Sequence, residues 1–223
     1  MDNCRGTDYA REYIDLVALG EISDMMNMET LENRFICDYG LDNITNKFFK
    51  DLVEKQSYSL GSGPLTQIGV AFYITPLINS LIRVGSDLEK ERLFEAFIKP
   101  ETKVPSTKRG EKGMEETIST QAARNCVNAK ARQNRERDKA IDLLDIQILN
   151  NDLNKNKILI LNADDLDIPY TLTGLCAMGV SAGYKKPVML GRIGKDGYLR
   201  GSIRGRGESE LKDFRKFLLD SGL

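Results

Sequence analysis

The stretch Lys157–Arg204, KILILNADDLDIPYTLTGLCAMGVSAGYKKPVMLGRIGKDGYLRGSIR, decides the fold class. Lys157–Leu161 is a short apolar run of the kind that forms a buried strand. Tyr170–Tyr184 is rich in small and apolar residues over a length that suits a helix. Pro187–Ile193 and Tyr198–Arg204 read as two strands. They are joined through Lys195-Asp196-Gly197, a turn carrying the Asp-Gly pair that hairpins favour. Ser209–Leu219 follows as a closing amphipathic helix. The order β-α-β-β-α is a compact α/β unit, expected over residues 151–223.

Upstream of this unit, residues 117–150 form the longest helical pattern. Ala122, Ala123, Cys126 and Val127 give way to the charged run Arg132–Lys139, then to Ile141, Leu144 and Ile148. Such a helix is ~50 Å long at 1.5 Å per residue, which suits a bridge between two lobes. Residues 99–116 are dense in charge and carry two prolines and two glycines, so they read as a linker. Residues 1–98 read as mostly helical. A first helix over 8–19 breaks at Gly20, a second opens at Thr30 and stops at Gly40, and a third runs from about Thr45 to Lys55. Gly61-Ser62-Gly63-Pro64 is a turn. Val70, Phe72 and Ile74 alternate like a strand before Pro76 starts a short helix, and residues 87–98 form another amphipathic helix.

Composition narrows the chemistry. The chain has 223 residues, 41% hydrophobic and 29% charged, as in a soluble globular protein. The N-terminal segment is acidic and polar, unlike a signal peptide, and no apolar run is expected to cross a bilayer. Cys4, Cys37, Cys126 and Cys176 form no C-x-x-C pair and read as reduced thiols of a cytoplasmic protein. There is no histidine. That excludes Ser-His-Asp and Cys-His catalysis and every histidine-containing metal site within this chain. Carboxylate chemistry remains, and carboxylates take hard cations such as magnesium or manganese. The net charge of -1 hides an asymmetry. Residues 1–60 hold 12 Asp/Glu against 6 Lys/Arg, while residues 185–206 hold 7 Lys/Arg against Asp196 alone. An acidic end suits metal and a basic end suits phosphate; ordinary surface variation gives the same figures.

Four patches carry candidate chemistry. Asp24, in Gly20-Glu21-Ile22-Ser23-Asp24, stands between apolar neighbours, where a carboxylate must be paired, hydrogen-bonded or bound to a cation. It reads either as a metal ligand or as a cap or turn aspartate. Asn79 and Arg83 are four apart and share a helix face on which both could reach one phosphate. Asn134-Arg135-Glu136-Arg137 sits in the charged run of the long helix. Ser202 and Arg204 are two apart on a strand and point to one face, between Gly201 and Gly205. A hydroxyl beside a guanidinium fork is a phosphate clamp; a solvated basic hairpin is the alternative.

The order of these patches resembles the RecJ-like branch of the DHH phosphoesterase superfamily, exonucleases specific for single-stranded DNA. The resemblance is carried by Asp15-Leu16-Val17-Ala18-Leu19-Gly20-Glu21-Ile22-Ser23-Asp24, Glu32-Asn33-Arg34 and Thr75-Pro76-Leu77-Ile78-Asn79-Ser80-Leu81-Ile82-Arg83-Val84-Gly85. It continues through Asn134-Arg135-Glu136-Arg137, Gly174-Leu175-Cys176-Ala177, Lys186-Pro187-Val188-Met189 and Gly201-Ser202-Ile203-Arg204. It implies the C-terminal part of a DHH domain over 1–98, a bridging helix, and a DHHA1-like nucleic-acid-binding domain over 151–223. It makes Asp24 the last of several metal-binding aspartates, Arg83 a site-lining arginine, and Ser202 and Arg204 phosphate contacts. It implies two divalent ions, Mn or Mg, in a complete cytoplasmic DNA-repair hydrolase.

The upstream Asp-x-Asp, middle Asp and Asp-His-His motifs are absent, as is the later Gly-His-Ala, and Glu21 replaces the usual Thr. The expectation is therefore a piece or split half of an exonuclease, with a separate chain carrying the upstream motifs. Its affinity for single strands should be weak and its own cleavage poor or nil. An oligonucleotide or cyclic-dinucleotide phosphodiesterase, and a non-catalytic nucleic-acid-binding module, are the alternatives.

Overall fold

The computed structural model describes residues 9–111 and 113–222. Cys4, residue 8 of the first expected helix, and Lys112 in the expected linker lie outside them. The chain divides into two units, Met1–Ala131 and Arg132–Leu223. The division falls inside one continuous helix, Ile118–Asn150, against the expected 117–150.

The first unit is mainly helical. It runs α1 (Tyr9–Glu12), α2 (Ile14–Ser23), α3 (Leu31–Asp42), α4 (Lys47–Lys55), α5 (Ser57–Leu60) and α6 (Gln67–Gly69), followed by a π-helical turn, Val70–Ile74, that leads into α7 (Thr75–Val84). Then come α8 (Asp87–Ile98), a hairpin of β1 (Lys103–Pro105) with β2 (Glu115–Thr117), and the first half of α9 (Ile118–Asn150). Its core gathers Phe48, Phe49, Leu52, Val70, Ile74, Leu81, Ala122, Ala123 and Cys126, all fully buried. Phe48 meets Phe97 edge-on at 4.7 Å. Caps set several helix starts: Asn46 accepts from the Phe49 N–H at 3.0 Å, and Ser86 and Glu89 form a reciprocal capping box on α8.

Four expectations are corrected here. The helix expected to break at Gly20 continues to Ser23. Gly40 does not stop α3, which runs to Asp42. Gly40 is a packing glycine, since a Cβ there would stand 2.6 Å from the Ile14 carbonyl oxygen and 2.7 Å from Ala18 Cβ. The strand expected at 70–74 is helical. Val70, Ile74, Leu77 and Leu81 are buried while Phe72 is 72% exposed, so the period is that of a helix and not of alternation. Residues 99–116 are no plain linker either, because they carry the β1–β2 hairpin, whose Val104 is buried in the core cluster. In addition, Gln67–Val84 is long and apolar enough to cross a membrane by length and composition alone, and its buried positions belong to this core.

The second unit begins in α9, where Ala140, Leu144 and Ile148 are buried at intervals of four. It continues with β3 (Leu159–Asn162), α10 (Thr173–Tyr184), β4 (Val188–Ile193), β5 (Leu199–Arg204) and α11 (Phe214–Ser221). The sheet order is β3-β4-β5. β3 and β4 are parallel, as a crossover through a helix requires, and β4 and β5 are antiparallel. Cys176, Ala177 and Val180 of α10 are buried along with Leu159, Leu161, Val188 and Leu190 of the sheet. The expected β-α-β-β-α order is therefore present. The last helix starts later than residue 209, because the Ser209 hydroxyl is engaged with the Arg206 and Leu211 carbonyls and Asp213 caps the helix.

Candidate functional site

In the second unit a small anion-receptive corner forms at the start of α10. The helix begins after Leu172 with no side-chain cap on its first amides, and the Thr173 hydroxyl turns back to the Tyr170 carbonyl at 2.9 Å. The helix runs on directly from a 3-10 turn over Tyr170–Leu172, and the Tyr170 carbonyl also takes the Thr173 N–H. Ser202 and Arg204 of β5 face this turn. A Cβ added to Gly174 would lie 2.9 Å from Arg204 Nη2 and 3.3 Å from Ser202 Oγ. Glycine at this position keeps the space in front of the two donors clear. Arg204 Nη1 donates to the Ile203 carbonyl at 2.8 Å, which steadies the guanidinium.

The register holds the pair in place. Ser202 opposes Leu190 and Arg204 opposes Val188, so both side chains share one face of the sheet. Next to Ser202, Gly201 opposes Gly191. A Cβ on Gly201 would stand 2.4 Å from the Gly191 Cα, an approach only glycine permits. Arg137 of α9 lies within electrostatic reach of the Cys176 thiol on α10. Burial still dominates there and pushes that thiol up to about 11. Asn134, one turn before Arg137, holds a buried Oδ1 with no hydrogen-bond partner among the described residues.

The first unit holds Asn79 and Arg83. They stand one turn apart on α7, both partly buried. They and the Ser202/Arg204 pair belong to different units.

Asp24 is not where its sequence neighbours suggest. It is the exposed C-cap of α2, its N–H donating to the Gly20 carbonyl at 2.9 Å. Among the described residues its carboxylate takes no hydrogen bond or ion pair. The aspartate that is buried is Asp15, 1% exposed. Its Oδ2 accepts from the N–H groups of Thr45 (2.8 Å) and Asn46 (2.7 Å), and its Oδ1 from Leu16 N–H (2.8 Å). Asp15 therefore ties α2 to the entry of α4 and is a structural clamp. Periodicity alone does not separate two aspartates flanked by apolar residues. Beside Asp24, Ser23 and Thr75 join the end of α2 to the start of α7 through hydroxyls 2.9 Å apart. Glu21 has a buried Oε2 without a partner among the described residues. Its charge, after burial, helps raise the Cys37 thiol above the ordinary range.

A divalent cation does not fit this donor set. No group of three His, Cys, Asp or Glu residues suited to a metal occurs among the described residues. One exposed carboxylate falls far short of the roughly six oxygen ligands that Mg²⁺ or Ca²⁺ takes. The chain's described cysteines are no substitute: burial pushes Cys126 up to about 12, so it is a protonated, inert thiol at neutral pH.

The fold is that of the RecJ exonucleases. The chain aligns over 92% of its length with RecJ from Thermus thermophilus in complex with Mn²⁺ (TM-score 0.65, 21% identity, 27% of that chain). It aligns equally far with the Mg²⁺ complex (TM-score 0.63, 20% identity, 28% of that chain). A manganese-bound exonuclease RecJ matches 87% of the chain and 42% of its own (TM-score 0.59, 22% identity). No family model matches the sequence.

In sequence the chain is similar to single-strand DNA-specific exonucleases. It is 39% identical over 228 residues to the putative SPbeta prophage-derived single-strand DNA-specific exonuclease YorK of Bacillus subtilis strain 168. It is equally similar to the putative single-strand DNA-specific exonuclease yorK of Bacillus phage SPbeta. The similarity takes in all of this chain and 39% of each relative.

Proposed function

We propose that this chain is the strand-gripping portion of a RecJ-like exonuclease acting on single-stranded DNA. Residues 1–98 are then the C-terminal part of a DHH domain and residues 151–223 a DHHA1-like domain, with the long helix bridging them. The observation that carries this reading is the corner formed by Ser202 Oγ, Arg204 Nη2 and Gly174 at the uncapped start of α10. There a phosphate oxygen meets a hydroxyl donor and a guanidinium fork at once. Asn79 and Arg83 offer a second contact to the backbone of the strand. The structural relatives are RecJ in complex with Mg²⁺ and with Mn²⁺. In the complete enzyme Asp24 would be one ligand of such a centre.

The test is fluorescence anisotropy with a labelled single-stranded oligonucleotide across a salt series. Binding should weaken linearly in log–log form as salt rises. Ser202→Ala and Arg204→Ala should each weaken it without changing the circular dichroism spectrum. Unchanged binding in both variants would sink the reading. A non-catalytic binding module is favoured by one observation, the missing metal group among the described residues. Robust manganese-dependent cleavage by the pure chain, abolished by Asp24→Ala, would rule that module out and show that the chain completes its own site.

A further inference from the structure

The segment between β3 and α10 holds an aromatic ring out beside the Ser202–Arg204 corner. Ile168 is 3% exposed and Leu172 is fully buried, so the turn is anchored at both ends. Tyr170 between them is 71% exposed. Its backbone is fixed. The Thr173 hydroxyl donates to its carbonyl, and the Leu172 N–H donates to the Pro169 carbonyl, both at 2.9 Å. Pro169 precedes it at φ -57, an angle its own ring locks. Arg192 of β4 donates to the Ile168 carbonyl and so ties the turn to the sheet. Among the described residues the Tyr170 ring has no aromatic partner. Exposed tyrosines scattered singly are ordinary. This one is held rigidly at the edge of a cluster of phosphate donors.

The donors lie together on the sheet. Arg192 opposes Arg200, Leu190 opposes Ser202 and Val188 opposes Arg204, so Arg192, Arg200, Ser202 and Arg204 project from one face. Arg200 Nη1 donates to Asp196 Oδ1 at 2.7 Å, which fixes that guanidinium on the strand. Tyr170 stands four residues before Gly174, the position whose added Cβ would meet Arg204 Nη2 and Ser202 Oγ. Residues three and four apart on a helical turn have Cβ atoms about 5–6 Å apart. A nucleotide whose phosphate sits in the corner therefore has its base within reach of the ring. We infer that Tyr170 is the stacking platform for that base and makes the corner selective for unpaired strands. The inference rests on the exonuclease reading above and adds a base contact to its phosphate contacts. An aromatic ring stacks on any base, so the contact tolerates every sequence. A base stacked inside a duplex offers no free face, so the contact is made only on a single strand.

The chain has no tryptophan, so Tyr170→Trp places a single reporter at the site. Its emission should be quenched when a single-stranded oligonucleotide binds. In fluorescence anisotropy Tyr170→Ala should bind single strands about tenfold more weakly, the loss of one stacked base. Its duplex affinity and its salt slope should be unchanged, because no phosphate contact is lost. Tyr170→Phe should keep the parent affinity, and all three variants should keep the parent's melting temperature. With the unsubstituted chain, one abasic nucleotide moved along the oligonucleotide should find a position at which affinity falls about tenfold. That fall should vanish in Tyr170→Ala. Parent-like affinity of Tyr170→Ala, an equal loss on single strands and duplex, or unquenched emission with oligonucleotide bound overturns the inference. So does self-association of the chain that Tyr170→Ala abolishes while single-strand affinity holds. Parent-like binding by both Ser202→Ala and Arg204→Ala removes the corner and the inference with it. Weakened binding by those two with parent-like Tyr170→Ala removes the stack alone.

Discussion

The two units of this chain are finished to different degrees. The second is an α/β layer whose candidate residues meet: Ser202, Arg204 and Gly174 come from two elements and surround one small volume. The first buries a good core yet leaves the carboxylate proposed as a ligand, Asp24, exposed. The difference shows that stability and function are separable here. Phe48, Phe49 and Leu52 are as buried as Leu159, Leu161 and Val188, so both units have the packing of folded domains. The candidate residues of the second are brought together by local contacts between β5 and α10, whereas Asp24 of the first gathers no such companions among the described residues.

The contrast can be broken most sharply through the first core. Phe48→Ala removes a ring that is fully buried against Phe97. It should cost about 3–5 kcal/mol in denaturant unfolding. If the units are energetically independent, oligonucleotide binding through Arg204 should survive in conditions where the first unit has melted.

A somewhat smaller effect belongs to Glu116. It is held by Arg124 through a two-pronged ion pair (2.5 and 2.6 Å), and Gln121 and the Thr107 N–H add further bonds. These hold its carboxyl at about 2, against an ordinary 4.5, with the Arg124 hydrogen bond the largest cause. A lowered folded value means stability that is present above pH 4.5 and is lost as pH falls toward 2. The expected contribution at neutral pH is at most about 3 kcal/mol, reduced by solvent screening of this partly exposed pair. Glu116→Gln should flatten the acid limb of the unfolding free energy between those values; an unaltered limb would remove the assignment.

Smaller again is Arg204→Ala. It should lower single-strand affinity about tenfold and reduce the slope of log affinity against log salt by about 0.7. Thermal stability should hold, because the side chain is exposed. The least effect on folding is expected from Asp24→Ala, within about 0.5 kcal/mol, since an exposed carboxylate without a partner contributes little. A large destabilisation would mean that Asp24 has a structural role like that of Asp15.

What is legible in the sequence follows from the range of the forces involved. The helix Ile118–Asn150 is readable to within a residue at its start, because small apolar residues, a charged run and aliphatic residues succeed one another along it. The strands Val188–Ile193 and Leu199–Arg204 are readable because an Asp-Gly turn is a local signal. Three misreadings share another cause. Val70, Phe72 and Ile74 alternate on paper, but Leu77 and Leu81 extend the burial at helical spacing, which a short window misses. The hairpin Lys103–Pro105 with Glu115–Thr117 has strands of three residues, too short to show a period. Asp15 and Asp24 both lie among apolar residues. Only the distant amides of Thr45 and Asn46, about thirty positions along the chain, decide which of them is buried. The Gly174 contact with Ser202 and Arg204 likewise needs the sheet to form first; its one sequence signal is the pairing of Gly201-Ser202-Ile203-Arg204 with a small-residue helix.

The facing glycines Gly191 and Gly201 act as a register pin for the hairpin. Any side chain at Gly201 would run into the Leu190 carbonyl and the Gly191 Cα. The strands can come this close only when glycine meets glycine. A slip of one residue would set Arg200 or Ser202 against Gly191 and turn the Ser202–Arg204 face to the opposite side of the sheet. The two residues without side chains thus decide which way Ser202 and Arg204 look, and a hairpin that pairs out of step is penalised before it can present the wrong face.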